Sequence, residues 1–197
     1  MLIKKIISFL SIVIIMFSSS CGDDSIKTVK EIPIKTSINN KLFYQKDFSF
    51  HFSYQKGFNY SKLKINKDIK MLLLDEVYEE VDFYEMKKFN NWFQNFKFQN
   101  GVMPIDQKEN LDCDNFALLY KSLFSVSRYK SETQKEPAVA LIIVEQKHPF
   151  AGIPSGWLHM LNLVFTNNGW YIFEPQSGEL ILLEDYPNQE FIRFIII

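Results

Sequence analysis

The segment from Trp157 to Glu174 constrains the fold more than any other part of the chain. Trp157 to Thr166 and Trp170 to Glu174 are two runs rich in apolar and β-branched residues, parted only by Asn167, Asn168 and Gly169. Runs of that composition around a short Asn/Gly turn read as an antiparallel hairpin. Upstream, Pro137 to Glu145 (PAVALIIVE) reads as a buried strand by its β-branched content. Lys147 to Gly156, which holds two prolines and two glycines, is the loop joining it to the hairpin. Pro175 to Gly178 forms a further turn, and Glu179 to Leu183 a further strand.

The N-terminal half has a different periodicity. Asp82 and Glu85 have the spacing of a helix capping box, and Met86, Phe89, Trp92, Phe93 and Phe96 recur at helical intervals. A helix near 83 to 96 follows, its aromatic stripe facing a core and its end marked by Gln99, Asn100 and Gly101. A second helix starts near Cys113, with Phe116, Ala117, Leu119, Leu123 and Phe124 on its apolar side, and the polar segment Ser127 to Glu136 closes it. Phe48, Phe50, Phe52 and Tyr54 alternate with Ser49, His51 and Ser53, a half-buried strand with His51 on its polar face. Met71 to Leu74 is strand or helix, since a run that short does not distinguish the two. No internal repeat interrupts this order, so the expected class is α+β around one core: a helix bearing Cys113 packed on an antiparallel sheet bearing His159 and Glu174.

The first residues point to export. Lys4 and Lys5 precede an apolar run from Ile6 to Phe17, then Ser18, Ser19 and Ser20 lead into Cys21, the layout of a secretory signal. Small residues directly before a cysteine resemble the lipobox of bacterial lipoproteins, with Ser18 standing where those usually have Leu. The resemblance implies that Cys21 carries fatty-acyl chains such as palmitate and anchors the chain to a bacterial membrane, the domain lying outside the cytoplasm in the cell envelope. The expected division is residues 1–20 as signal peptide, 21–46 as a polar tether and 47–197 as the folded domain. Lys and Arg total 22 against 23 Asp and Glu, so no overall field recruits nucleic acid. Nothing in the residues speaks to oligomeric state.

With Cys21 lipidated, Cys113 has no partner for a disulfide. Its thiol is then either inert packing or a nucleophile. A cysteine nucleophile needs a base for its proton and a group that orients the base. In chain order, Cys113, His159 and Glu174 are candidates for those roles. The start of a helix favours a thiolate, whereas Asp112 and Asp114 oppose one, and one of these two is better read as the helix N-cap. His148, in the loop before Pro149, is the poorer candidate base. Hairpin register leaves the orienting group open. A turn centred between Asn167 and Asn168 sets Glu174 opposite Leu161 and Gln176 opposite His159. A turn centred between Thr166 and Asn167 sets Glu174 opposite His159, and a tight turn on Asn168 and Gly169 sets it opposite Leu163.

DCDNFALL followed by GWLHMLNLVFTNNGWYIFEPQ resembles the transglutaminase-like and papain-like cysteine peptidase pattern, and most closely the Cys-His-Glu variant in the protease domain of a mushroom agglutinin. In that pattern Cys113 matches the nucleophile, His159 the base and Glu174 the orienting acid before Pro175, with Gln176 as the alternate orienting group. The similarity covers residues 111 to 178 and departs from the pattern at Asp112, Leu158 and Met160. It implies a thiol hydrolase that cleaves a peptide or other amide bond in a peptide or protein substrate through a thioester. The alternatives are an acyl transferase of transglutaminase type and an inactive binding domain on the same fold. The oxyanion would be held by the Cys113 N–H and one upstream donor among Trp92, Gln94, Gln107 and Asn110. Calcium is implied by the resemblance alone; Asp112, Asp114 and Asn115 are more simply cap and surface residues. No metal-ligand spacing or phosphate loop occurs.

Overall fold

Nine strands and two helices build the described part of the chain, which comprises residues 42–44, 69–75, 77–102, 111–128 and 135–197 of a computed structural model. All of these belong to one compact unit, Ile32–Ile197. The strands are β1 (Leu42–Tyr44), β2 (Lys70–Leu72), β3 (Val77–Glu79), β4 (Glu136–Pro137), β5 (Val139–Glu145), β6 (Leu158–Thr166), β7 (Gly169–Phe173), β8 (Leu180–Leu182) and β9 (Ile192–Ile196). Helix α1 spans Phe83–Gln99 and helix α2 spans Cys113–Arg128. The class is α+β.

The main sheet has six strands in the order β2-β9-β5-β6-β7-β8, and a small sheet has the order β1-β3-β4. Neither is purely antiparallel, which corrects the expectation of an antiparallel sheet. The short β2 adds parallel to β9, with Met71 opposite Ile195, and β3 pairs parallel with β4. The ambiguous run at Met71 is therefore a strand. The last fourteen or so residues, to which the sequence pattern assigned nothing, supply β9 through two 3₁₀ turns, Leu183–Asp185 and Gln189–Phe191. Strand β1 falls within the segment expected to be tether. The alternating run Phe48 to Tyr54, with His51, lies outside the described residues.

Burial on both faces explains the near-continuous hydrophobicity of the central strands. On one face Val139, Val164, Tyr171 and Phe173 meet Phe89 and Phe93 of α1 and Tyr120 and Phe124 of α2. On the other, Ile142, Leu161, Leu163 and Ile172 pack with Phe150, Tyr186 and the C-terminal Ile195 and Ile197. Met86, Phe89 and Phe93 of the α1 stripe are thus core, as the spacing indicated, while Trp92 and Phe96 are half-buried. Phe89 lies 4.5 Å from Phe124 and 5.3 Å from Tyr120, ring centre to ring centre. Tyr120 donates its hydroxyl to Asn90 Oδ1 at 2.6 Å, so the two helices also share a buried hydrogen bond.

The hairpin tip and the start of α1 hold each other. Asp82 accepts from the backbone N–H groups of Tyr84 and Glu85, both at 3.0 Å, the side-chain cap that its position predicted. Asn167 Oδ1 accepts from Phe83 N–H at 3.0 Å while its Nδ2 donates to Asp82 Oδ2. The turn lies between Thr166 and Gly169, which pair with each other. Asn167 and Asn168 keep negative φ, and the left-handed conformation falls on Gly169 at φ 122°, where no side chain opposes it.

Removing the cap by Asp82→Ala should lower stability by about 1 kcal/mol, read as an earlier urea midpoint with an unchanged slope. An unmoved midpoint would show that Asn167 alone suffices to hold the helix start.

Candidate active site

Helix α2 begins at Cys113 because its preceding residue closes the first turn. Asp112 takes the N-cap position: its carbonyl accepts from Phe116 N–H at 3.2 Å, while Asn115 N–H donates to Asp114 Oδ1 at 3.0 Å. Asp112 N–H in turn donates to Asn115 Oδ1 at 3.3 Å, the side chain three positions on reaching back to the cap residue. Of the two acids beside the cysteine, Asp112 is therefore the cap. A hydrogen bond from Asp114, helped by burial, raises the Asp112 carboxyl to about 6. Below that pH the Asp112 carboxyl is protonated, which lessens the negative charge beside the thiol.

Cys113 is a free, half-buried thiol in the first turn of α2. Asn162 of β6 donates Nδ2 to Ala117 O at 3.1 Å and so fixes the cysteine helix on the strand that carries His159. His159 occupies the second position of β6, opposite Val144. Its Nε2 is hydrogen-bonded to Glu174 Oε2, and the Cys113 side chain lies close enough to act on the imidazole. With Nε2 engaged by the carboxylate, Nδ1 is the ring nitrogen left for the sulfur. The pair is withdrawn from water, the side chains of His159 and Glu174 being 3% and 0% exposed. Burial alone would lower the imidazole; the hydrogen bonds to Cys113 and Glu174, and their charge, outweigh it and lift His159 to about 9.

The pairing register does not single out Glu174 in the way the hairpin argument supposed. Thr166 pairs with Gly169 and Asn162 with Phe173, so the turn is centred between Asn167 and Asn168, the register that was expected to bring Gln176 to His159. Glu174 reaches the imidazole nonetheless, because β7 ends at Phe173. Beyond that point the chain turns instead of continuing the ladder, so opposition along an extended strand no longer applies. Glu174 caps this turn: Glu174 N–H donates to Glu179 O at 2.8 Å, Gly178 N–H to Glu174 O at 2.7 Å, and Gln176 N–H to Glu174 Oε1 at 2.8 Å. Gln176 thus contributes its backbone to holding the carboxylate rather than replacing it.

Lys97, in the last turn of α1, is a residue that the sequence reading missed. Its Nζ donates to the carbonyls of Pro175 and, at 2.7 Å, Gln176, and it is 1% exposed. The ammonium lies 5.2 Å from the Phe116 ring centre and 5.5 Å from that of Phe93. Burial pulls it down to about 8, while Glu174 works in the opposite direction. A lysine near a helix C-terminus is ordinary in sequence, so no local signal marks this one. Gln94 adds a bond from Nε2 to Pro175 O at 3.2 Å. Gly178, at φ 85°, completes the turn where a Cβ would come within 2.9 Å of the Gln94 side chain.

Of the upstream oxyanion candidates, Trp92 lies in α1 between Phe89 and Phe96, with ring centres at 5.3 and 5.2 Å. Gln94 has its amide on Pro175. Gln107 and Asn110 lie outside the described residues, as does Cys21. His148 is exposed. Among the described residues no three His, Cys, Asp or Glu side chains gather as a metal site, and no helix is long and apolar enough to cross a membrane.

No family model matches the chain, and no curated protein matches it. Among solved structures, one described as "PSL1a-E64 complex" is similar at a TM-score of 0.49 and 18% identity, over 70% of this chain and 47% of that one. The chain thus spans less than half the length of that protein.

A histidine raised from 6.5 to about 9 binds its proton more tightly in the folded state. The stability it supplies is complete below 6.5 and disappears as pH rises through about 9. Urea unfolding should therefore show the advantage of wild type over His159→Gln shrinking across that interval. An advantage that does not change with pH would mean that the folded imidazole is not preferentially charged.

Proposed function

We propose that the domain is a thiol hydrolase of the transglutaminase-like and papain-like kind, cleaving a peptide or related amide bond with Cys113 as nucleophile, His159 as base and Glu174 as orienting acid. The observation that carries this reading is the imidazole of His159 bonded to a fully buried Glu174 carboxylate, with Cys113, in the first turn of a helix, acting on the same ring. Each part has a chemical task. Glu174 on Nε2 fixes the tautomer and orientation of the ring and stabilises its charged form. His159 takes the thiol proton, and an imidazolium beside sulfur favours the thiolate.

In the reaction the Cys113 sulfur attacks the carbonyl carbon of the amide, and the oxygen takes up negative charge. The helix supplies Cys113 N–H, one of the donors that have no partner within the helix, to stabilise that charge. The C–N bond then breaks, His159 passes its proton to the departing amine, and a thioester remains on Cys113. Water adds to the thioester as His159 removes a proton from it; the C–S bond breaks, releasing a carboxylate and restoring the thiol. Cys113 is half-buried, whereas His159 and Glu174 stay away from bulk water. In this reading Cys21 carries lipid, and the segment from 21 to 46 tethers the domain to a bacterial membrane outside the cytoplasm.

Alkylation of Cys113 by a neutral haloacetamide and an anionic haloacetate tests the pair. An imidazolium attracts the anionic reagent, so the ratio of anionic to neutral rates should exceed that of a free thiol and fall as pH rises through about 9. In His159→Ala the excess should vanish, and Cys113→Ala should remove labelling altogether. Equal ratios in folded wild type and His159→Ala would overturn the proposal.

A further inference from the structure

Charged lysines are almost never fully buried without partners, and Lys97 is buried where two parts of the candidate site meet. From α1 its ammonium reaches the Pro175 and Gln176 carbonyls, immediately after Glu174. The same ammonium lies over the ring of Phe116, on the turn of α2 that follows Cys113. Pro175 has no N–H, so the turn offers α1 carbonyl oxygens, and Gln94 and Lys97 both donate to the Pro175 oxygen. Two carbonyls turned inward beside a buried carboxylate would repel one another without a cation. The Glu174 carboxylate is then held at one oxygen by Gln176 N–H and at the other by His159. If the 175–176 peptide moved, the N–H that holds Glu174 would move with it.

We propose that Lys97 is a positioning residue for the Cys113, His159 and Glu174 site: by gripping the Pro175 and Gln176 carbonyls, its ammonium fixes the turn that aims Glu174 at His159. The inference rests on reading those three residues as the reacting constellation. Lys97 touches neither sulfur nor imidazole in this scheme and acts through the turn. The other titratable groups around the cluster are Cys113, which acts on His159, Tyr186, on which Glu174 acts, and the Asp112 and Asp114 carboxyls at the start of α2.

The direction of one measurement separates positioning from simple charge. Deleting a cation near an imidazolium would, by charge alone, raise the imidazole midpoint; loosening Glu174 from Nε2 lowers it. The test follows the His159 midpoint by imidazole NMR in wild type, Lys97→Met, Lys97→Gln and Glu174→Gln. The expected result is a midpoint near 9 in wild type, falling by about one unit or more toward 6.5 in Lys97→Met. Lys97→Gln, which keeps one donor for the turn, should fall less, and Glu174→Gln should fall furthest. The haloacetate-to-haloacetamide ratio at Cys113 should lose its pH step in the same order.

A wild-type midpoint near 9 that stays put in folded Lys97→Met would overturn the positioning role while leaving the catalytic reading intact. A wild-type midpoint near 6.5 with equal alkylation ratios would instead overturn the catalytic reading itself. Should neither lysine variant fold, the wild-type ammonium decides: a slowly exchanging Lys97 signal coupled across hydrogen bonds to the 175 and 176 carbonyls supports the proposal. A freely exchanging one overturns it.

Discussion

An imidazole and a carboxylate removed from water are stable only if each remains the other's partner. Separating such a pair by deleting one member typically costs ~3–5 kcal/mol, because the charge left behind is buried without compensation. His159 and Glu174 are in that position, and the surrounding elements are arranged so that they do not separate. Strand β6 lies between β5 and β7, and the histidine near its start is paired with Val144 of β5, beyond the end of β7. The carboxylate, by contrast, comes from a turn, and a turn requires additional anchors.

Those anchors come from the helices. Asn162 ties α2 to β6, Tyr120 ties α2 to α1, and Lys97 with Gln94 ties α1 to the turn after β7. Tracing these bonds in order links the cysteine helix, the histidine strand, the aromatic helix and the glutamate turn. The two hydrophobic faces of the sheet hold the layers together without direction, and the few buried polar contacts set their relative position. Such a division of labour suits a site whose donor and acceptor distances matter more than the stability of any single element.

Much of the scaffold was legible in the residues. The cap at Asp82, the aromatic spacing from Met86 to Phe96, the helix opening at Cys113 and the hairpin around Asn167 are all local patterns, and each has its counterpart in the folded chain. Three features were not legible, each for a definable reason. Strand β9 pairs with β5 and β2 across long stretches of sequence, and its isoleucine-rich residues carry no alternation to mark them. The parallel pairing of β2 is a matter of topology, which composition does not encode. Lys97 follows the rule for a helix C-terminus and gives no sign of being buried.

Glu174 shows where local reasoning stops. Counting residues along the hairpin leaves three registers open, and the one the folded chain adopts would bring Gln176 to His159 only if the second strand continued. It ends at Phe173, and the turn that follows is shaped by Lys97 and Gln94 from a helix some eighty residues earlier in the chain. The sequence by itself determined the elements and the three residue types suited to thiol chemistry, because those depend on periodicity, capping and side-chain identity. Only the tertiary structure decided whether Glu174 or Gln176 reaches the imidazole and which cation bonds the turn beside it, because contacts between distant segments depend on how the layers pack.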